Sequence, residues 1–316
     1  MSGSGSNAFL DLLRAVAPAG LPDWATLLLA AAVTAAVAIT GVAIQAWLCR
    51  RIAGRLAGKL SSGPMLPTTP AQGWAFAATL GAIAAYPLAP HVFFADIELG
   101  LLLILACLAL ASIVSDACAD LGWLILLGVA LLVPVIAGGS LNLIEASRLQ
   151  SDWFGMGWFL LKSPFALPAS ILFLVAALGW ARRESMSPIE RSTGMFLLSG
   201  LAATFFFGGF ESPLTWSLRR SLGEDPGFLN HVPLADGSGQ TRIAIGGLMF
   251  QLACAATLLG KTMLGVFLLL RLQARPSPRF QQAMEVSRRV LVPLGPALLI
   301  GAALWEWARA TLWSAA

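Results

Sequence analysis

Within QLACAATLLGKTMLGVFLLLR a single lysine, Lys261, interrupts an apolar run ten residues before Arg271. Ten helical residues rise about 15 Å, too far for a lysine at the middle of a bilayer to carry its charge to the interface. An ionisable group at that depth is costly unless it faces the interior of a helix bundle, water or an acid. Two readings follow: Lys261 belongs to a buried polar network, or its charge state is used in an ion pathway. The acids available to it are Asp116, Asp120 and Glu211. Asp116 and Asp120, in SDACADLGW, stand four apart and would share a face if a helix ran through them. So short a connection between two apolar runs also fits a solvated turn. Glu211 closes GLAATFFFGGFESP, where an aromatic run ends on paired glycines, an acid and a proline.

Other chemistry is missing from the chain. No glycine-rich nucleotide fingerprint or phosphate loop occurs, and the two histidines, His91 and His231, stand far apart. Cys49, Cys107, Cys118 and Cys254 lack paired metal-ligand spacing and read as buried, reduced thiols. The sequence therefore offers no metal, haem or iron–sulfur site, and redox chemistry by this chain alone is not expected.

These residues sit on long apolar elements. The 316 residues are 58% hydrophobic and 11% charged, with a mean hydropathy of +0.79, the composition of an integral membrane protein. Apolar stretches of about 20 residues, enough to cross the hydrocarbon as helices, fall near 23–48, 72–90, 97–116, 119–138, 164–181, 194–210, 244–271 and 290–312. The fold class is all-α, with about eight transmembrane helices in one domain over 23–312. Strands for a membrane barrel would be shorter and would alternate in polarity. Residues 1–22 lack the basic start of a cleaved signal peptide and are expected to be retained.

Loops near 49–71, 182–193 and 272–289 collect Arg50, Arg51, Arg55, Lys59, Arg182, Arg183, Arg191, Arg275, Arg279, Arg288 and Arg289, with Arg271 at their edge. The opposite side, including loops near 139–163 and 211–243, holds Arg14, Arg148, Lys162, Arg219, Arg220, Arg242 and Arg309 among most of the acids. The excess of basic residues places the first set in the cytoplasm and both termini on the far side, periplasmic for a bacterial inner membrane. The net charge of +4 is a topology signal, and no soluble basic domain exists to bind nucleic acid. After the first span, CRRIAGRLAGKLSSGPMLP sets Arg51, Arg55 and Lys59 beside a face of Ile52, Leu56 and Leu60, a short amphipathic interfacial helix. It reads either as a topological anchor or as the border of an opening for a lipid-like ligand.

Five stretches, DIELGLLLILA (96–106), GGSLNLIEASRLQ (138–150), SGLAATFFFGGFESP (199–213), LLGKTMLGVFLLLRLQA (258–274) and PRFQQAMEVSRRVLVPLGPALL (278–299), together resemble the membrane subunit of complex I called H in bacteria and subunit 1 in mitochondria, with its relatives in membrane-bound hydrogenases. They keep that family's order along the chain. The resemblance implies a subunit joining an iron–sulfur peripheral arm to antiporter-like, ion-pumping membrane subunits, with a quinone as hydrophobic acceptor. It implies that Arg50, Arg51, Arg55, Lys59, Arg183 and Glu190 border the quinone or the arm. By the same resemblance Lys261 matches the family's intramembrane lysine.

The departures bear on mechanism. The family's first loop begins with a glutamate where this chain has Cys49, and its long loop between the third and fourth spans is nearly absent. Its acid-rich loop before the sixth span is cut to AALGWARRESMSPIERSTGM, in which Arg183, Pro188 and Glu190 are the remnants. Coupling redox events to proton movement needs groups that change charge, so losing carboxylates harms a relay more than it harms the packing of apolar helices. The expected function is a divergent complex I-like membrane subunit with a degenerate quinone site. The alternative is a membrane scaffold or transporter-like protein that has lost redox coupling. No internal repeat and no matching pair of broken spans supports an autonomous transporter.

Overall fold

The computed structural model describes residues 69–87, 98–114, 121–182, 187–222, 245–273 and 278–313, with the single helical positions Ala25, Leu29, Ala36, Thr40, Trp47 and Arg51. Among the described residues the secondary structure is helical and contains no strand. The principal helices are α1 (Pro70–Ala84), α2 (Gly100–Val114), α3 (Leu121–Gly138), α4 (Leu143–Arg148), α5 (Ala166–Ala181), α6 (Pro188–Phe206), α7 (Pro213–Leu222), α8 (Ile245–Gln273) and α9 (Pro278–Trp313). Two four-residue turns, Asp152–Gly155 and Phe159–Lys162, lie between α4 and α5.

Each expected span from the second onward coincides with a helix; the first is seen only at its scattered described positions. Met249–Gln273 and Val290–Leu312 are long and apolar enough to cross a membrane, whereas Gly100–Val114, Gly122–Gly138 and Ala166–Ala181 are apolar but shorter. The sixth helix runs from Pro188 to Phe206, earlier than the expected 194–210. It starts there because Ser187 and Glu190 form a reciprocal capping box just ahead of a proline at the first turn. The last helix begins at Pro278, so the expected loop 272–289 holds the start of a helix. The expected amphipathic helix after the first span lies outside the described residues apart from Arg51.

Helix α6 is the centre of the bundle, packed by α1, α3, α4, α5 and α8. It tolerates burial on all sides because its hydroxyls bond back to its own carbonyls: Ser192 to Pro188 at 2.9 Å, Thr193 to Ile189 at 2.7 Å and Thr204 to Gly200 at 3.0 Å. Trp180, Phe205, Phe206, Phe210 and Phe250 fill the core around it. The outward faces are apolar too, with Ile125, Leu264 and Ile300 each more than 60% exposed. An apolar perimeter around a packed interior is the arrangement that lipid solvates.

Candidate functional site

The chain leaves α6 through a corner that only glycine makes easily. Phe207 closes the helix, and Gly208 and Gly209 follow in the left-handed region, with φ of 77° and 53°. The Gly209 amide turns back to Ala203 O at 2.7 Å, and the Glu211 amide to Gly208 O at 2.8 Å. A side chain at Gly209 has no room, since its first carbon would run into Ser147 Oγ on α4. Ser212 then caps α7: its hydroxyl accepts from the Thr215 amide at 3.2 Å, and Pro213 occupies the first helical position.

This path leaves the carbonyls of Phe207, Gly209 and Glu211 without partners in any helix, and all three converge on Lys261 Nζ of α8, at 2.7, 3.0 and 2.5 Å. Three oxygens match the three protons of an ammonium. The charge also sits 5.8 Å from the centre of the Trp158 ring, which itself packs edge-on against Phe207. Lys261 thus does for the end of α6 what a basic residue does for orphan helix carbonyls, but it reaches them from a neighbouring helix.

A second knot holds the corner from the other side. Gln150 is fully buried and uses both ends of its amide. Its Nε2 donates to Ala146 O at 2.9 Å and Thr204 O at 2.8 Å, and its Oε1 accepts from the Phe159 and Gly208 amides, each at 3.0 Å. Thr204 in turn meets the Tyr86 hydroxyl at 2.9 Å, tying in the end of α1.

The Glu211 carboxylate is fully buried and pairs with Arg219 of α7, whose guanidinium lies 5.7 Å from the Phe250 ring. The side-chain partner of Glu211 is therefore Arg219, and Lys261 takes its backbone carbonyl instead. Lys261 and Arg148 are nonetheless close enough to act on that carboxylate through space. Of the expected ion-pathway set, the structure brings together Lys261 and Glu211, while Asp116 and Asp120 lie outside the described residues.

Of the residues expected to border a quinone or an arm, Arg50, Arg55, Lys59 and Arg183 also lie outside the described residues. Arg51 stacks 4.5 Å from the centre of the Trp47 ring. Glu190 is buried at the start of α6, its carboxylate accepting from the Ser187 amide as half of the capping box. No group of His, Cys, Asp and Glu among the described residues is arranged to hold a metal.

Gln150, Arg219, Tyr86 and Trp158 do not stand out as site residues in the sequence. Gln150 ends GGSLNLIEASRLQ, one of the five stretches that carry the family resemblance, and that is its only signal. The contacts join three of those stretches, 138–150, 199–213 and 258–274, into one site.

No family model matches the chain. Over 209 residues, 57% of this chain, it is 26% identical to the NADH-quinone oxidoreductase subunit named H of Anaeromyxobacter dehalogenans, and the match spans 46% of that protein's length. Over 268 residues, 70% of this chain and 71% of the relative, it is 26% identical to NADH-quinone oxidoreductase subunit 8 of Rhodothermus marinus. Three of the five ordered stretches meet at one corner, and the two relatives to which the chain is distantly similar are both named as NADH-quinone oxidoreductase subunits.

Proposed function

We propose that this chain is a membrane subunit of a complex I-like, energy-converting oxidoreductase, joining a peripheral iron–sulfur arm to antiporter-like, ion-pumping subunits. The observation that carries the reading is the seat of Lys261 on the three corner carbonyls, because it physically unites stretches that resemble the family. The eight-span arrangement, with basic loops facing the arm and both termini periplasmic, belongs to the same proposal. Its quinone site is degenerate, because the acidic loop is short.

Purification from the native membrane in mild detergent tests this. The chain should co-migrate with iron–sulfur and antiporter-like subunits, and genes for such subunits should neighbour its own. A monodisperse monomer with transport activity of its own would overturn the proposal. One observation favours a second reading, a scaffold without redox coupling: every proton of the Lys261 ammonium has a backbone acceptor, which commits the charge to structure. Intact assembly with no coupling between electron transfer and ion movement would select that reading.

A further inference from the structure

Between the turn Asp152–Gly155 and the end of α9 lies a cavity of about 530 Å³ that the corner does not use. One wall is made by Trp153, Met156 and Leu161, and the other by Trp305 and Leu312. Lys162, Asp152 and Arg309 are the charged residues of the lining. The surrounding surface is apolar, with Leu161, Trp307 and Leu312 each close to 70% exposed. Tryptophans beside arginine and lysine at a helix end are the residues of a membrane interface.

The wall is held open by an unusual backbone. Trp153 and Phe154 are both left-handed, at φ 51° and 59°, a conformation bulky residues rarely adopt. Phe154 packs edge-on against Trp216 at 4.8 Å, and Gly155 presses on the backbone of Ser212, where a side-chain carbon would come within 2.6 Å of its carbonyl. That anchoring turns Trp153 outward, 82% exposed, onto the cavity.

We infer that this cavity binds one phospholipid of the leaflet on the corner side, with a zwitterionic headgroup, and this rests only on the membrane reading. Charge complementarity chooses the occupant. Lys162 Nζ donates to Leu149 O at 2.8 Å and to Asp152 Oδ2 at 2.7 Å, which leaves one of its three protons for a phosphate oxygen. Arg309 touches Glu306 only at 3.5 Å, longer than a good charge-assisted bond, so its planar fork can receive the phosphate. Asp152 beside Lys162 gives the headgroup ammonium a counter-charge that a purely basic pocket would lack. The acyl chain lies along Leu161, Trp305 and Leu312.

The test uses the full chain in its native assembly, washed in mild detergent, with retained lipid identified by mass spectrometry. One zwitterionic phospholipid per chain should survive washing, and inorganic phosphate should not displace it. The pair Lys162→Gln and Arg309→Gln should lower its retention by about a hundredfold, the value of two charge-assisted hydrogen bonds, whereas Arg220→Gln should not. Equal retention in the double variant, or an anionic lipid in its place, would overturn the inference. So would a photoreactive Trp305→benzoylphenylalanine that crosslinks to a polypeptide instead of a lipid, since a neighbouring subunit would then cover the cavity.

Discussion

Replacing Lys261 by methionine keeps much of the side chain's length and removes the ammonium that reaches Phe207 O, Gly209 O and Glu211 O across the bundle. The carbonyls of the buried Gly209 and Glu211, left without a donor, cost about 1–3 kcal/mol each, more than the gain from making α8 uniformly apolar. The expected result of Lys261→Met is a several-fold fall in assembled protein, measured by native electrophoresis and by thermal unfolding in detergent. If assembly is normal and only ion pumping falls, the lysine acts in a pathway and the corner holds without it. Normal assembly with undiminished pumping would exclude both roles. The Glu211 and Arg219 pair gives a sharper contrast. Arg219→Met strands a buried carboxylate and should destabilise by about 3–5 kcal/mol, while Glu211→Gln together with Arg219→Met should recover most of that loss. No recovery in the double variant would mean that Arg219 matters for something other than the Glu211 charge.

At the scale of elements, the corner is where α4, α6, α7 and α8 meet, and Gly209 is its tightest point. Gly209→Ala meets two obstacles, a left-handed φ and the Ser147 hydroxyl. The first costs about 1 kcal/mol for a small side chain, so most of the damage should come from the clash. Adding Ser147→Gly should therefore restore a large part of the melting temperature lost in Gly209→Ala. An unchanged deficit would place the cost in the backbone alone. Helix existence was legible in the sequence because runs such as GLLLILACLALASIV leave no alternative to a helix in lipid, whereas the start of α6 was not: the capping box of Ser187 and Glu190 begins the helix ahead of the expected 194. The partners of Lys261 were not legible. Side-chain types suggest acids, whereas the actual acceptors are backbone carbonyls freed by the dihedral angles of two glycines. Gln150 was hidden for a similar reason, since its four partners are all main-chain atoms.

At the scale of the molecule, the contacts fix which ends of the helices lie together, whatever the orientation in the membrane. Ser187 starts α6 and the corner ends it, so the two lie at opposite ends of the central helix. The end of α9 lines the same cavity as Asp152 and Lys162, and the neighbouring Gly155 abuts Ser212 of the corner, so the C-terminal end of α9 is at the corner end. Reporters fused near Ser187 and after Ala316 must then report different compartments. The distribution of arginine and lysine adds the sign, with Arg182, Arg183 and Arg191 flanking Ser187 and drawing that end toward the cytoplasm. A reporter near Ser187 should be active inside and one after Ala316 outside. Two reporters in the same compartment would contradict the placement of the C-terminal end of α9 at the corner end of α6. Opposite compartments with the reverse sign would leave the packing intact and overturn only the orientation, and with it the docking of a peripheral arm on the basic loops.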